Sequence, residues 1–97
     1  MAIGDAVSVV ANVADDDYLS LITSGAGVET IIHNISHNGS AELYFFDGSN
    51  YILMDTDTTA GAWMGLTIHC TFTNYYKVKN ISGGTIYMHA DGVCTKS

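Results

Sequence analysis

The sequence predicts an all-β chain, a single antiparallel β-sandwich of about eight short strands, jelly-roll-like or immunoglobulin-like in strand order. Three observations carry that prediction. Short runs rich in Val, Ile, Thr, Tyr and Phe alternate with clusters of turn residues. Proline is absent while glycine occurs 10 times, so turns rest on Gly, Asn, Asp and Ser. No window keeps an i, i+3, i+4, i+7 apolar period, whereas several alternate with a period of two.

The strands fall near residues 6–13, 18–23, 28–35, 41–46, 50–55, 64–73, 76–81 and 85–90. In the first, Val7, Val9, Ala11 and Val13 alternate, and the valines argue against the helix that the alanines would allow. The stretch "MGLTIHCTFT" (64–73) has the clearest alternation, with Met64, Leu66, Ile68, Cys70 and Phe72 on one face. Turns are expected at "ADDD" (14–17), "TSGAG" (23–27), "SHNGS" (36–40), "DGSN" (47–50), "DTDTTAGA" (55–62), "SGG" (82–84) and "DG" (91–92). One phrase is written twice: "HNISHNGSAELYFFDG" (33–48) and "KNISGGTIYMHADG" (79–92). Both read as strand, glycine turn, strand, which suggests two copies of a hairpin. Duplication and two similar turns account for it equally.

The chain of 97 residues is one domain, 1–97, in which 1–13 is either a first strand or an arm reaching a neighbour. A hydrophobic fraction of 47% supports a core and argues against disorder. So short a chain buries a modest share of its surface, so partners or self-association are expected to add stability. Asp and Glu number 10 against 3 Lys and Arg, a net charge of −7 with no arginine. That sign excludes a nucleic-acid partner, which needs cations to displace counterions, and disfavours an anionic membrane surface. No apolar run reaches a membrane-spanning length, and "MAIGDAVSVV" lacks the basic start of a secretory signal. Synthesis in a cytoplasm is the expectation, which favours Cys70 and Cys94 as free thiols, while the sequence leaves a disulfide between them open.

No chemistry-bearing motif is complete. His33, His37, His69 and His89 do not form a ligand set, and His69 and its neighbour Cys70 point to opposite faces. "DTDTTAG" places Asp55 and Asp57 at alternate positions but lacks the glutamate of a calcium loop. Ser24 has no assignable base, and "SGAG" has no following lysine. The Asn-x-Ser sequons at Asn34, Asn38 and Asn80 read as turn residues. The expectation is no enzyme, no metal and no cofactor. The aromatics remain, 10% of the chain. Trp63, Tyr75, Tyr76 and Tyr87, with Val7 and Val9 of the first strand, are the interface candidates. An exposed Trp63 or Tyr75 would also suit sugar stacking, although alanine and glycine rather than polar residues surround Trp63.

Residues 27–93, with "GVETIIHNI", "ELYFFDG", "GAW" and "KVKNISGGTIYMHADG" in order, resemble small virion structural proteins of tailed bacteriophages. The resemblance implies an all-β fold and a role in capsid decoration (cement) or in head fibres. It implies no catalytic residue. It further implies a homo-oligomer, commonly a trimer, that contacts the major capsid protein or another virion protein. The alternative is a glycan- or host-surface-binding module of a fibre or tail.

Overall fold

The structure is a computed structural model that describes residues 2–21 and 27–96. Among the described residues nine strands make two antiparallel sheets, and none is helical. In chain order they are β1 (Ala6–Val13), β2 (Tyr18–Ser20), β3 (Glu29–His37), β4 (Ala41–Phe46), β5 (Tyr51–Asp57), β6 (Gly61–Trp63), β7 (Ile68–Cys70), β8 (Tyr75–Asn80) and β9 (Ile86–Lys96). Sheet A runs β1-β9-β3-β6, and β7 also pairs with β3; sheet B runs β2-β8-β4-β5. Since β6 and β7 flank one edge of β3, they act as a single interrupted strand. The chain then crosses between sheets at nearly every connection, with β4–β5 the hairpin within sheet B. That winding is a jelly roll, not the immunoglobulin order.

The core lies between the sheets. Ile35, Ala41, Cys70, Val78, Met88, Ala90 and Cys94 are all but inaccessible, and Val13, Leu19, Leu21, Leu43, Ile32 and Ile68 complete it. Val7 and Ala11 pack against this cluster, and β1 pairs with β9 along its whole length. Residues 6–13 are therefore a first strand of the domain.

Several predicted boundaries move, each for a physical reason. The expected strand 64–73 is confined to Ile68–Cys70, and Met64 and Phe72 are exposed. β6, expected as loop, pairs Trp63 with Ile35, while β7 pairs Ile68 with Ile32. The edge chain thus advances five residues where β3 advances three. The surplus loops out at Gly65, whose φ of +69° suits glycine. The same level of β3 holds a bulge at His33, and His33 grips the looped segment: its carbonyl accepts from Leu66 N–H at 2.8 Å and its Nδ1 donates to Leu66 O at 2.8 Å.

The expected turn at Asp91–Gly92 is the middle of β9. Opposite the His33 bulge, β3 comes so close that a Cβ on Gly92 would fall on the Ile31 carbonyl oxygen. The two copies of the repeated phrase are likewise not two hairpins. Each contains a corner between sheets, β3 to β4 in one and β8 to β9 in the other. The corners lie side by side, with Asn38 N–H on Tyr87 O and Ile81 N–H on Ser40 O. Yet Asn34 sits inside a strand whereas Asn80 ends one, and only Asp47-Gly48 makes a turn. His33 and His37 lie within β3 rather than flanking a turn. Of the expected strand 18–23, residues 22 and 23 lie outside the described residues, as do Ser24 and most of "TSGAG".

Candidate interaction surface

The outer face of sheet B collects aromatic rings. Strand alternation sends Ala41, Leu43 and Val78 inward and Glu42, Tyr44, Phe46, Tyr75, Lys77 and Lys79 outward. Tyr18 joins them from β2 and Tyr51 from β5, each paired to an outward neighbour. The rings pack edge to face or tilted, with Phe46–Tyr51 centroids at 4.6 Å, Phe46–Tyr75 at 5.4 Å and Tyr18–Tyr51 at 5.9 Å. Lys77 Nζ stands among them, 4.6 Å from the Phe46 centroid, 5.2 Å from Tyr51 and 5.3 Å from Tyr18, and it donates to Tyr51 Oη at 3.2 Å. Two of the three lysines of this acidic chain therefore share one aromatic face. Partial removal from water raises the Tyr44 phenol pKa, and the Glu42 carboxylate that accepts its proton at 3.0 Å adds to the rise.

This face runs into a bare edge. Among the described residues β5 pairs only with β4, and Tyr51, Ile52, Leu53 and Met54 are 48%, 54%, 50% and 52% exposed. They point to both sides of the strand, so neither side is covered. A bulge opposite Leu43 and Tyr44 leaves Met54 unpaired in the register.

The same bulge turns the acidic end of β5 inward. Asp55 Oδ2 accepts from Trp63 Nε1 at 2.7 Å, and Asp57 Oδ2 meets His37 Nε2 at 2.9 Å. The His37 side chain is fully buried, its Nδ1 lies 2.7 Å from Gly39 O, and its ring packs on Trp63 at 4.7 Å. Nδ1 thus faces the Gly39 carbonyl and Nε2 the Asp57 carboxyl group. The "DTD" stretch is thus strand whose carboxylates are already engaged, not a calcium loop. Among the described residues no three His, Cys, Asp or Glu side chains converge on a metal position.

Sheet A presents a polar outer face. Ser36 Oγ lies 3.0 Å from His89 Nδ1, His89 Nε2 lies 3.0 Å from Asp91 Oδ2, and Asn34 Nδ2 donates to Asp91 Oδ1 at 2.8 Å. Serine, histidine and aspartate in that order resemble a nucleophile, its base and an orienting acid. β3 and β9 are each paired on both sides, however, so their amides are held in the ladders rather than aimed at a developing oxyanion. A shallow open groove of about 230 Å³ adjoins them, lined by Val10, Ser36, Asn38, Tyr87 and His89. His69 and Lys96 pair with Glu29 at 2.7 and 3.5 Å near the far end.

The six interface candidates scatter over this frame. Tyr75 belongs to the aromatic face. Tyr76 turns inward against Phe45, centroids 5.3 Å apart, and Val7 packs on the core. Val9 is exposed at the β1 edge, and Tyr87, 59% exposed, rims the groove on sheet A. Trp63 has both its ring and its N–H engaged. Sequence reasoning missed Tyr18, Tyr44, Phe46, Tyr51 and Lys77 as a group. Their outward positions in neighbouring strands were readable, but the order that makes those strands neighbours was not. No protein-family model matches the chain, and no curated protein does.

Proposed function

We propose that the chain is a non-enzymatic structural protein of a tailed-bacteriophage virion. In this reading it is a capsid decoration or cement subunit that steadies the head through contacts with the major capsid protein or another virion protein. The observation that supports it best is the aromatic face of sheet B continuing into the bare β5 edge. Tyrosines and phenylalanines offer large contact area at little entropic cost, which is what protein interfaces use. Lys77, held among the rings, offers an anchoring cation within a largely aromatic contact. Jelly rolls serve capsids and lectins alike, so the fold agrees with this role by analogy only.

Mass spectrometry of purified particles whose genome carries this chain tests the reading. Peptides of the chain at a copy number close to that of the shell protein are expected. Particles free of it, or holding only a few copies, overturn the decoration role.

A glycan-binding module is the second reading, favoured by Tyr87 on the rim of the sheet A groove beside Ser36, Asn38 and His89. An open ring flanked by hydroxyl, amide and imidazole is the pattern that stacks and grips a sugar. Trp63 is engaged elsewhere, which moves the sugar candidate to Tyr87. A glycan-array signal abolished by Tyr87→Ala would favour this reading over the first.

A further inference from the structure

We propose that Ser36 is an activated hydroxyl that accepts one acyl group from an activated ester, such as an aryl ester, and keeps it. Two rows of side chains on the outer face of sheet A carry this. Ala62, Ser36, His89 and Val10 lie side by side across β6, β3, β9 and β1, and Asn34, Asp91 and Ser8 form the next row. Asp91 bridges the rows. Its Oδ2 lies 3.0 Å from His89 Nε2, and its Oδ1 accepts from Asn34 Nδ2 at 2.8 Å. With Asp91 ionised and the ring neutral, the carboxylate only accepts, so the ring proton stays on Nε2. Nδ1 is then left with its lone pair, 3.0 Å from Ser36 Oγ, and the hydroxyl donates to it. That is a nucleophile bonded to its base, with the base oriented by a third group. Approach to it is open. Ala62 is exposed and ends in a methyl, and the shallow groove passes Ser36 and His89 with Val10 as its apolar wall.

The chemistry stops after one transfer. Ser36 Oγ attacks the ester carbonyl carbon and the Oγ–C bond forms. The bond from that carbon to the aryloxide oxygen breaks, and the Ser36 proton passes through His89 Nδ1 to the departing aryloxide. Amides of β3 and β9 are held in ladders and offer no donor to the oxyanion, so only a leaving group that departs unaided is displaced. The ester formed on Ser36 has an alkoxide as its leaving group, so it accumulates instead of turning over. Ser36 is thus a modification site on a chain that remains non-enzymatic.

Brief exposure of the folded full chain to p-nitrophenyl acetate at about pH 8, followed by peptide mapping in a mass spectrometer, reads the outcome. On the wild type, Ser36 should be acetylated at least ~100-fold faster than Ser49, the exposed serine of the β4–β5 turn, as a bonded general base supplies. That ratio is read without any variant, so it stands whether or not a variant folds. Lys96, its side chain 63% exposed, is the internal standard. Measured against Lys96, His89→Gln should slow Ser36 acetylation at least ~100-fold. Asp91→Asn should slow it at least ~10-fold, because an amide no longer fixes which ring nitrogen holds the proton. A merely structural role for either residue would move the melt and leave that ratio alone. Ser36→Ala should remove the acetyl-serine peptide and leave Lys96 labelling as it was. Ser36 acetylated no faster than Ser49, an acetyl group found on His89 alone, or a Ser36 rate unchanged in His89→Gln overturns the proposal. None of those results bears on whether the chain is found in virions.

Discussion

Asn80 is a residue whose sequence reading and structural role diverge. It heads an Asn-x-Ser sequon, yet it is fully buried. Its Nδ2 donates to Val13 O at 2.8 Å and Gly84 O at 2.6 Å, and its Oδ1 accepts from Ser82 N–H at 2.8 Å. One side chain thus ties the end of β1 to the β8–β9 corner. Asn80→Ala removes all three bonds, but Gly84 O keeps the Ser82 Oγ donor at 3.0 Å, and the bond to Val13 O is the buried one. We expect a loss of about 2 kcal/mol, since one buried group left without its partner costs on the order of 1–3 kcal/mol. Urea titration of both proteins checks this, and a loss under ~1 kcal/mol would refute the role. Asp47 acts at the opposite corner. Backbone N–H groups of Asn50 and Ser49 donate to its carboxylate and hold its pKa below the usual carboxylate range. A lowered folded-state pKa contributes stability above the unfolded value, and that contribution is lost as pH falls through the folded one. The Tm of wild type should therefore exceed that of Asp47→Asn at neutral pH. The gap should close below about pH 4, where the carboxyl takes up its proton. A gap that stays constant from pH 7 to pH 2.5 would show that the turn does not need the charge.

Strands were legible where alternation and pairing coincide. β1 and β4 fall where their valines and aromatics place them, because β1 runs unbroken beside β9 and β4 beside β8. The reading of residues 61–73 fails because alternation reports which faces are apolar, not whether the backbone finds a ladder. The bulge at His33 and the loop at Gly65 are a joint property of two distant segments, invisible in either alone. The Asp-Gly pair at 91–92 misleads for the same reason: glycine there answers to the approach of β3. This element-scale account predicts that Gly92→Ala is severe. The new Cβ would overlap the Ile31 carbonyl oxygen and lie 2.8 Å from Ile31 C and Ile32 Cα, all backbone of a central strand. Overpacking against backbone costs on the order of 3 kcal/mol or more, a Tm lowered by at least ~12 °C in a domain of this size. Gly84→Ala, where a Cβ meets nothing within 4 Å, is the control and should stay within ~2 °C. Equal Tm shifts in the two variants would remove the close-approach argument.

Over the whole molecule, the jelly roll decides which residues meet. Cys70 and Cys94 are 24 positions apart, and composition alone left a disulfide open. In the fold both oppose Thr30, one from β7 and one from β9, on either side of β3. Two strand spacings put their Cα atoms ~10 Å apart, beyond the ~7 Å a disulfide bridges. Both side chains face the interior, at 0% and 1% exposure, so sheet B has to lift away before either reacts. Burial pushes the Cys70 thiol above its ordinary pKa, and a backbone hydrogen bond from Tyr76 offsets this only in part. Thiolate is the reactive form, so the native thiol is disfavoured twice, by access and by ionisation. If the sandwich opens as one cooperative unit, both thiols react only through global unfolding. Labelling of the native chain with a disulfide reagent at pH 8 should then modify both cysteines at one shared rate. That rate should be at least ~1,000-fold below that of the urea-unfolded chain, as a stability of ~5 kcal/mol or more requires. Addition of urea below the transition should raise both rates with the same slope. A fast-reacting thiol would place a local opening at β7 or at the β9 end. An intramolecular Cys70–Cys94 disulfide formed under native oxidation would contradict the strand order of sheet A itself.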